Sequence, residues 1–145
     1  MNSPNECITE LTTIEQWGQA FPVMNQLRTD ITEQTYLDLL NEMRKEGYRL
    51  YAFSINEQIV SLVGFCIRTN FYNKRHVYIY DLITDSSHRS KGYGENLLRY
   101  IHQWSLENGA EIVALESGLQ RTEAHRFYEE KFDYDKWCFS FRRIL

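Results

Sequence analysis

The spacing of apolar residues changes along the chain, and each spacing predicts a type of secondary structure. Apolar side chains three or four residues apart are typical of one face of a helix. This spacing predicts four helices, which carry Trp17–Leu27, Tyr36–Met43, Leu97–Trp104 and Ala124–Tyr128. Runs rich in β-branched and aromatic residues predict strands. The predicted strands cover residues 7–13, 48–55, 58–68, 77–84, 111–117 and the tail 134–145.

The order of these elements, β-α-α-β-β-β-α-β-α-β, predicts a mixed sheet. Three consecutive strands with short connections favour antiparallel pairing, and the strand–helix–strand unit from Val77 to Ser117 favours a parallel crossover. The predicted fold class is α/β (α+β), with a mixed central sheet of about six to seven strands flanked by about four helices. Thr13 and Gln16 suit a capping box. Pro22 is expected to break or kink the first helix, and Gly47 to end the second.

Length and composition limit the classes of protein to which the chain can belong. Its 145 residues predict one domain, residues 1–145. The formal net charge of -4 argues against a general nucleic-acid binder. The histidines lack metal-ligand spacing, and no apolar run approaches the roughly 20 residues that span a bilayer, so neither a metal site nor a membrane span is expected. Three dispersed cysteines, and a start without the features of a signal peptide, predict a cytoplasmic protein with reduced thiols.

One turn carries candidate chemistry. Between the strand that ends at residue 84 and the third helix lies HRSKGYGENLL, residues 88–98. The first N–H groups of a helix lack partners, and glycine lets another molecule approach them closely. Arg89 and Lys91 can add charge-assisted hydrogen bonds, so the turn suggests a phosphate site. Glycines also bend and cap chains for structural reasons, so Gly92 and Gly94 alone leave both interpretations open.

The turn and its flanks resemble a known family. Residues 89–94, RSKGYG, are similar to the [QR]-x-x-G-x-[GA] signature of the GNAT superfamily of N-acetyltransferases. Residues 82–105 resemble the acetyl-CoA motif of that family, and residues 112–134 resemble its next motif, with an A-x-x-F-Y helix at Ala124–Tyr128. The resemblance extends from about residue 48 to the end and is only topological before that. It implies the acyl-CoA N-acyltransferase fold of the GNAT family, with acetyl-CoA as cosubstrate.

The resemblance also implies which residues bind the coenzyme. In the family, backbone amides of the turn bind the pyrophosphate. Here the corresponding residues are Arg89, Ser90, Lys91, Gly92, Tyr93, Gly94 and Glu95. The pantetheine arm pairs with the strand before the turn, which here means Leu82, Ile83 and Thr84. Arg121 stands where the family often has asparagine, and it is expected to reach the phosphates of the coenzyme or the substrate. The usual Gly-Phe after the last helix is replaced by KFDYD, which leaves the connection to the last strand open.

Acetyl transfer to an amine needs a neutral amine, a stabilised oxyanion and a proton for the leaving thiolate. No cysteine has a histidine partner that the sequence identifies, so direct attack by the amine is predicted. By the resemblance, Tyr128 is the general acid, since a phenol stays protonated at neutral pH; its alternative is a core aromatic. Asp81 and Glu116 lie in the two strands expected to flank the cofactor and are candidate bases. Their alternative is a structural pair with Arg121 or His125.

The predicted function is therefore an N-acetyltransferase that moves the acetyl group of acetyl-CoA to a primary amine. The acceptor stays open, because the acidic residues of the second helix suit either a cationic amine or a solvated surface. The alternatives are a non-catalytic coenzyme-A-binding regulatory module and a protein-interaction domain whose glycine turn is structural. The aromatic last strand, residues 137–145, is expected to lie at a sheet edge and pair with a second copy as a homodimer.

Overall fold

The computed structural model describes residues 5–145, which form two compact units. One unit ends at Ala114, and the other comprises Leu115–Leu145. The organisation of residues 1–145 as a single domain stays a prediction. Residues 1–4, part of the segment that lacks the features of a signal peptide, lie outside the described residues.

One mixed sheet organises the fold, and its strands follow chain order from one edge to the other. The strands are β1 (Glu6–Leu11), β2 (Arg49–Ile55), β3 (Gln58–Asn70), β4 (Lys74–Thr84) and β5 (Ile112–Leu115). The first three neighbouring pairs are antiparallel. The predicted hairpin between β2 and β3 is confirmed, and its turn residues Asn56 and Glu57 both adopt positive φ.

The predicted count of six to seven strands is wrong, because the described residues 5–145 contain a sheet of five. The predicted strand in the tail, residues 134–145, does not form, and the strand over 111–117 shortens to β5. The tail has the apolar composition of a strand, but Phe139 is 80% exposed and Phe141 is 91% exposed. A strand needs a neighbouring strand for its backbone N–H and C=O groups, and composition alone does not provide one.

Helices α1 (Ile14–Leu27) and α2 (Glu33–Lys45) cover one face of the sheet. The predicted capping box is confirmed, since the Gln16 amide donates to Thr13 Oγ1 and the Thr13 amide donates to Gln16 Oε1. Pro22 lies inside α1 without ending it. The helices bury their apolar faces on alternate residues of the strands, which include Leu50, Ala52, Leu62 and Ile83.

Helix α3 (Tyr93–Glu107) packs on the other face of the sheet, against the strand residues that alternate with those facing α1 and α2. Its inner face is fully buried through Leu97, Leu98 and Ile101. The ring of Phe65 lies 4.8 Å from that of Trp104 in an edge-to-face arrangement. Because α3 begins just after β4 ends, this packing fixes the glycine turn at the carboxyl end of β4.

The second unit, Leu115–Leu145, contains a short helix and the extended tail. Helix α4 (Thr122–Arg126) continues into a π-helical turn, Phe127–Lys131, so the helix predicted over 120–131 is confirmed from Thr122 onward. π-Helical turns are rare in proteins and occur frequently at functional sites.

Three further observations concern the described part of the chain. No helix there is both long and apolar enough to cross a bilayer. No group of three or more His, Cys, Asp or Glu side chains among residues 5–145 is arranged to hold a metal ion. Cys7, Cys66 and Cys138 are all free thiols.

Candidate active site

The turn after β4 presents backbone amides at the start of α3. The chain passes through a single 3₁₀ turn, Ser86–His88, before it enters the helix at Tyr93. Ser90 and Gly92 adopt left-handed conformations, with φ of 65° and 82°. Within residues 5–145, the amides of Gly92, Tyr93 and Gly94 have no backbone or side-chain acceptor. These N–H groups and the positive end of the helix dipole favour an anion at this position.

The side chains of the turn leave the amides accessible. Arg89 and Lys91 are exposed, and Arg89 Nε donates to the Thr84 carbonyl at 3.2 Å. A Cβ at Gly92 would meet no atom within 4 Å, so this position faces open space. A Cβ at Gly94 would lie 2.9 Å from Thr84 Oγ1, which means that only glycine lets the first turn of α3 approach the end of β4 so closely.

A polar network ties the turn to α1. Gln26 Nε2 donates to Asp85 Oδ1 at 2.6 Å, and the Ser86 amide donates to Gln26 Oε1 at 2.8 Å. His88 Nδ1 lies 2.7 Å from Asp85 Oδ2. The hydrogen bond from Gln26, with a further contribution from His88, lowers the pKa of Asp85. Asp85 therefore stays ionised at neutral pH and holds the entry to the turn in place.

The strand that leads to the turn contains a β-bulge. Gly64 pairs with Asp81 while Phe65 pairs with Ile79, so Tyr80 is the extra residue on β4. Bulges re-aim side chains and occur often beside active sites. β4 has eleven residues, whereas its neighbour β5 has four and cannot cover the whole of that edge. The predicted pantetheine-binding residues Leu82, Ile83 and Thr84 lie between the bulge and the turn.

Asp81, a predicted base, lies at the bulge and accepts three hydrogen bonds. Arg28 Nε and Nη2 donate to Oδ1 at 3.0 and 2.9 Å, and the Tyr48 hydroxyl donates to Oδ2 at 2.7 Å. Asp81 is buried, whereas 46% of the Arg28 side chain is exposed. Arg28 Nη2 also donates to the Tyr80 carbonyl at 2.8 Å. The carboxylate thus has an ion-pair partner, but it is Arg28 rather than the expected Arg121 or His125.

Sequence reasoning missed Arg28 and Tyr48, although one signal was available. An isolated glycine in an apolar strand indicates a bulge or a close backbone approach. Gly64 is such a residue: a Cβ there would overlap the Tyr48 ring and hydroxyl, so its absence lets Tyr48 reach Asp81. Arg28 follows α1, 53 positions before its partner, and its charge pairing has no local signature in the sequence.

The second unit contains the other predicted site residues. Tyr128 is buried in the π-helical turn, and its ring lies 5.6 Å from those of Phe127 and Tyr134. Burial raises the pKa of the Tyr128 phenol, and the charge of Arg121 opposes this rise. Arg121 is the residue before α4. Glu116 is exposed and accepts a hydrogen bond from Arg142 Nη2 at 3.0 Å.

Comparison with known proteins identifies the family. The model of the acetyltransferase (GNAT) family matches residues 12–134. The chain belongs to the GNAT family. It is 40% identical over 135 residues to the uncharacterized N-acetyltransferase YhdJ of Bacillus subtilis (strain 168), with 92% of this chain and 95% of that protein covered. The family resemblance seen in the sequence is confirmed, and so is acetyl-CoA as the cosubstrate.

Solved structures share the fold at low sequence identity. Aminoglycoside N-acetyltransferase AAC(6')-Iy in complex with CoA has a TM-score of 0.86 at 13% identity, covering 99% of this chain and 97% of that one. An aminoglycoside acetyltransferase from an uncultured soil metagenomic sample, in complex with sisomicin, has a TM-score of 0.79 at 19% identity, with 97% and 96% covered. At such identities the similarity shows the GNAT fold alone. The family membership makes this chain an acetyl-CoA-dependent acetyltransferase.

Proposed function

We propose that this GNAT protein transfers the acetyl group of acetyl-CoA to a primary amine by direct attack. The observation that carries the proposal is the group of amides at residues 92–94, which have no acceptor within residues 5–145 and lie at the amino terminus of α3, where Gly92 faces open space. A diphosphate supplies the acceptors that these amides lack, and the helix dipole adds to the attraction.

The cofactor-binding residues follow from this placement. The amides of residues 89–95 bind the pyrophosphate, and Arg89 and Lys91 add positive charge at the same turn. The pantetheine arm, a chain of amides, runs from the turn back along Thr84, Ile83 and Leu82 and pairs with the backbone of β4. Arg121 is proposed as a further contact to the coenzyme. A protein that shares this fold has been solved in complex with CoA, which supports coenzyme binding by the fold.

The reaction forms a bond between the amine nitrogen and the carbonyl carbon of the thioester, and it breaks the C–S bond. Tyr128 donates its phenolic proton to the departing thiolate. A phenol carries its proton throughout the neutral pH range, and burial raises the pKa of Tyr128 further, so the proton is present when the thiolate departs. Cys66, the buried thiol, lies in β3 and needs no part in direct attack.

For the proton that the amine loses, we propose Glu116 as the first acceptor and water as the next. Glu116 is exposed, and one of its oxygens is bound to an arginine that is itself exposed. Asp81 is the second candidate. It accepts three hydrogen bonds from Arg28 and Tyr48, so its oxygens are already engaged, which favours a role in positioning these two residues.

Two measurements test the proposed function. Coenzyme A at 100 times its dissociation constant is expected to add about 2.7 kcal/mol to the free energy of unfolding. Thiol release from acetyl-CoA, measured across a panel of primary amines, is expected to show transfer. Stabilisation without transfer to any amine contradicts the proposed reaction, and the absence of both contradicts the cofactor site as well.

The Tyr128→Phe variant tests the proposed acid. We expect kcat to fall by about 10²-fold or more, the usual contribution of a positioned proton donor, while the coenzyme A dissociation constant stays the same. Tyr100→Phe is the matched control, since it removes a phenolic hydroxyl from the exposed side of α3. If Tyr128→Phe and Tyr100→Phe have equal kcat values, Tyr128 is not the general acid.

Two further proposals concern the state of the protein in the cell. The exposed side chains of Phe139, Phe141 and Ile144 form an apolar tail that a second copy of the chain can cover, which supports a homodimer. The three free thiols support a cytoplasmic location, where thiols stay reduced.

A further inference from the structure

Beside the bulged strand β4 lies an arginine whose charge no carboxylate matches. Arg68 lies near the end of β3, is exposed, and has no carboxylate within ion-pair distance among residues 5–145. Its guanidinium carbon lies 4.2 Å from the centroid of the Tyr78 ring and 4.9 Å from that of Tyr80. Arg68 Nη2 donates to the Tyr80 hydroxyl at 2.7 Å.

These contacts hold the guanidinium in one orientation. The Tyr80 ring is held in place by Tyr48, because the two rings stack with their centroids 5.4 Å apart and an interplanar angle of 10°. The Tyr48 hydroxyl is bound to Asp81, so the series from Asp81 through the two tyrosine rings to Arg68 is continuous. A guanidinium presents five N–H donors in a planar fork; Arg68 donates from Nη2 to the Tyr80 hydroxyl and also interacts with the Cys66 thiol, which itself donates to that hydroxyl at 3.4 Å. The remaining donors suit a planar anion.

The local charge differs from the net charge of the chain. Asp81, the carboxylate at the bulge, is matched by Arg28, so the pair adds no net charge. Arg68 of β3, which lies over Tyr78 and Tyr80, then gives the surface around these two residues one unmatched positive charge. A polyamine or an aminoglycoside would bring further positive charge to it, which is unfavourable. An acceptor with a negative group would gain a charge-assisted hydrogen bond instead.

The position of Arg68 relative to the proposed cofactor completes the argument, which rests on the proposed function. The pyrophosphate lies at the turn, and the pantetheine arm runs back along β4 to Leu82, so the thioester is directed toward the bulge. Tyr80 follows only two residues further, roughly 7 Å along a strand. An amine that attacks the thioester from this side therefore has its other groups near the Tyr80 hydroxyl, where Arg68 is held.

We propose that the acceptor of this enzyme is a primary amine that also carries a carboxylate, and that Arg68 binds this carboxylate. Amino acids and short acidic peptides belong to this class. Tyr78 and Tyr80 act as positioning residues, because they orient the guanidinium without contact to the reacting atoms.

Matched pairs of acceptors test the proposal. Glycine, β-alanine, 4-aminobutyrate and 6-aminohexanoate, together with a set of L-α-amino acids, are each compared with the corresponding carboxamide. Thiol release at saturating acetyl-CoA gives kcat/KM for both members of a pair. For at least one pair the acid is expected to exceed its amide by about tenfold or more, the usual effect of a hydrogen bond to a charged group, and mainly through KM. Amides that equal or exceed their acids in every pair overturn the proposal.

Variants connect the preference to Arg68. In Arg68→Gln the ratio of acid to amide is expected to fall toward one, and in Arg68→Lys part of it is expected to return, because the charge is kept but the fork is lost. Arg49→Gln is the matched control: the Arg49 guanidinium also lies over an aromatic ring, that of Trp104 at 5.5 Å, but on the α3 side of the sheet. A ratio that survives in Arg68→Gln, or falls equally in Arg49→Gln, overturns the proposal.

The failure of this inference can be distinguished from failure of the proposed function. Spermidine and an aminoglycoside are included in the same assay, and stabilisation by coenzyme A is measured on each variant. Transfer to the cationic amines alone overturns the carboxylate proposal and keeps the acetyltransferase. If coenzyme A does not stabilise the wild-type protein against unfolding, the cofactor site on which both proposals rest is overturned.

Discussion

The contact between Tyr48 and Asp81 depends on the missing side chain of Gly64, and Gly64→Ala tests this directly. A new Cβ would overlap the Tyr48 hydroxyl and would lie 2.7 Å from Cε2 of its ring. Tyr48 is 3% exposed and stacks on Tyr80, so the ring has no free space into which it can move. The backbone of β3 or the Tyr48 ring must shift, and either shift takes the hydroxyl away from Asp81.

Two effects contribute to the magnitude. Overpacking of a buried site costs about 1–3 kcal/mol. Loss of a hydrogen bond to a charged group costs about 1.5–3 kcal/mol. We therefore expect Gly64→Ala to lower the free energy of unfolding by about 3–5 kcal/mol, a large part of the roughly 5–15 kcal/mol of a typical domain. With a urea m-value of about 2 kcal/mol/M, the midpoint falls by roughly 2 M.

Urea unfolding followed by circular dichroism measures this change. Gly18→Ala, inside α1, is the matched control, because its Cβ would make only one ordinary contact, at 3.4 Å with Glu33 Oε1 of α2, and alanine is expected to stabilise a helix by about 0.5–1 kcal/mol. Tyr48→Phe and the double variant with Gly64→Ala complete a cycle. Both single changes remove the same hydrogen bond to Asp81. The double variant is therefore expected to be destabilised by less than the sum of the two single variants. Gly64→Ala within about 0.5 kcal/mol of wild type, or strict additivity, refutes the reasoning.

Three further predictions concern the turn and the tail. Gly92→Ala places a side chain at φ 82° in open space, so we expect backbone strain of about 1 kcal/mol. The affinity for coenzyme A, measured by calorimetry, is expected to fall roughly fivefold. An unchanged affinity contradicts binding of the coenzyme at the turn. The pKa of Asp85 is lowered by Gln26, so this stabilisation is present above the unfolded pKa of about 3.9 and is lost as the pH falls through the folded pKa. The destabilisation by Gln26→Ala is therefore expected to shrink in acid, and a deficit that is constant from pH 7 to pH 3 contradicts this. If a second copy covers the tail, Phe141→Asp is expected to be monomeric in sedimentation velocity. A wild-type protein that is itself monomeric contradicts the proposed homodimer.

The sequence predicted those parts of the fold that depend on local signals. The capping box at Thr13 and the hairpin turn at Asn56 and Glu57 are formed by residues close in sequence, and the structure confirms them. The glycine turn was found in the same way, because its signature occupies six consecutive residues. The family resemblance then supplied what periodicity cannot, namely the ligand that is proposed for the turn.

The remainder depends on pairings between distant residues. The ion pair of Arg28 with Asp81 and the position of Arg68 over Tyr80 come from the folding of α1, β3 and β4 against one another. The predicted strand in residues 134–145 failed for the related reason that a strand needs a partner. Apolar composition reports only that a segment can be buried, and it does not report what buries it.

The end of α1 contacts both ends of the segment that the cofactor is proposed to follow. Gln26 binds Asp85 and Ser86 at the entry to the glycine turn, and Arg28, two residues later, binds Asp81 and the Tyr80 carbonyl at the bulge. Residues Tyr80–Ser86 are therefore held at both ends by one helix. Because these contacts come from residues only two positions apart, a displacement of this end of α1 would shift the bulge and the turn together. The proposed path of the cofactor along β4 therefore depends on the position of this end of α1.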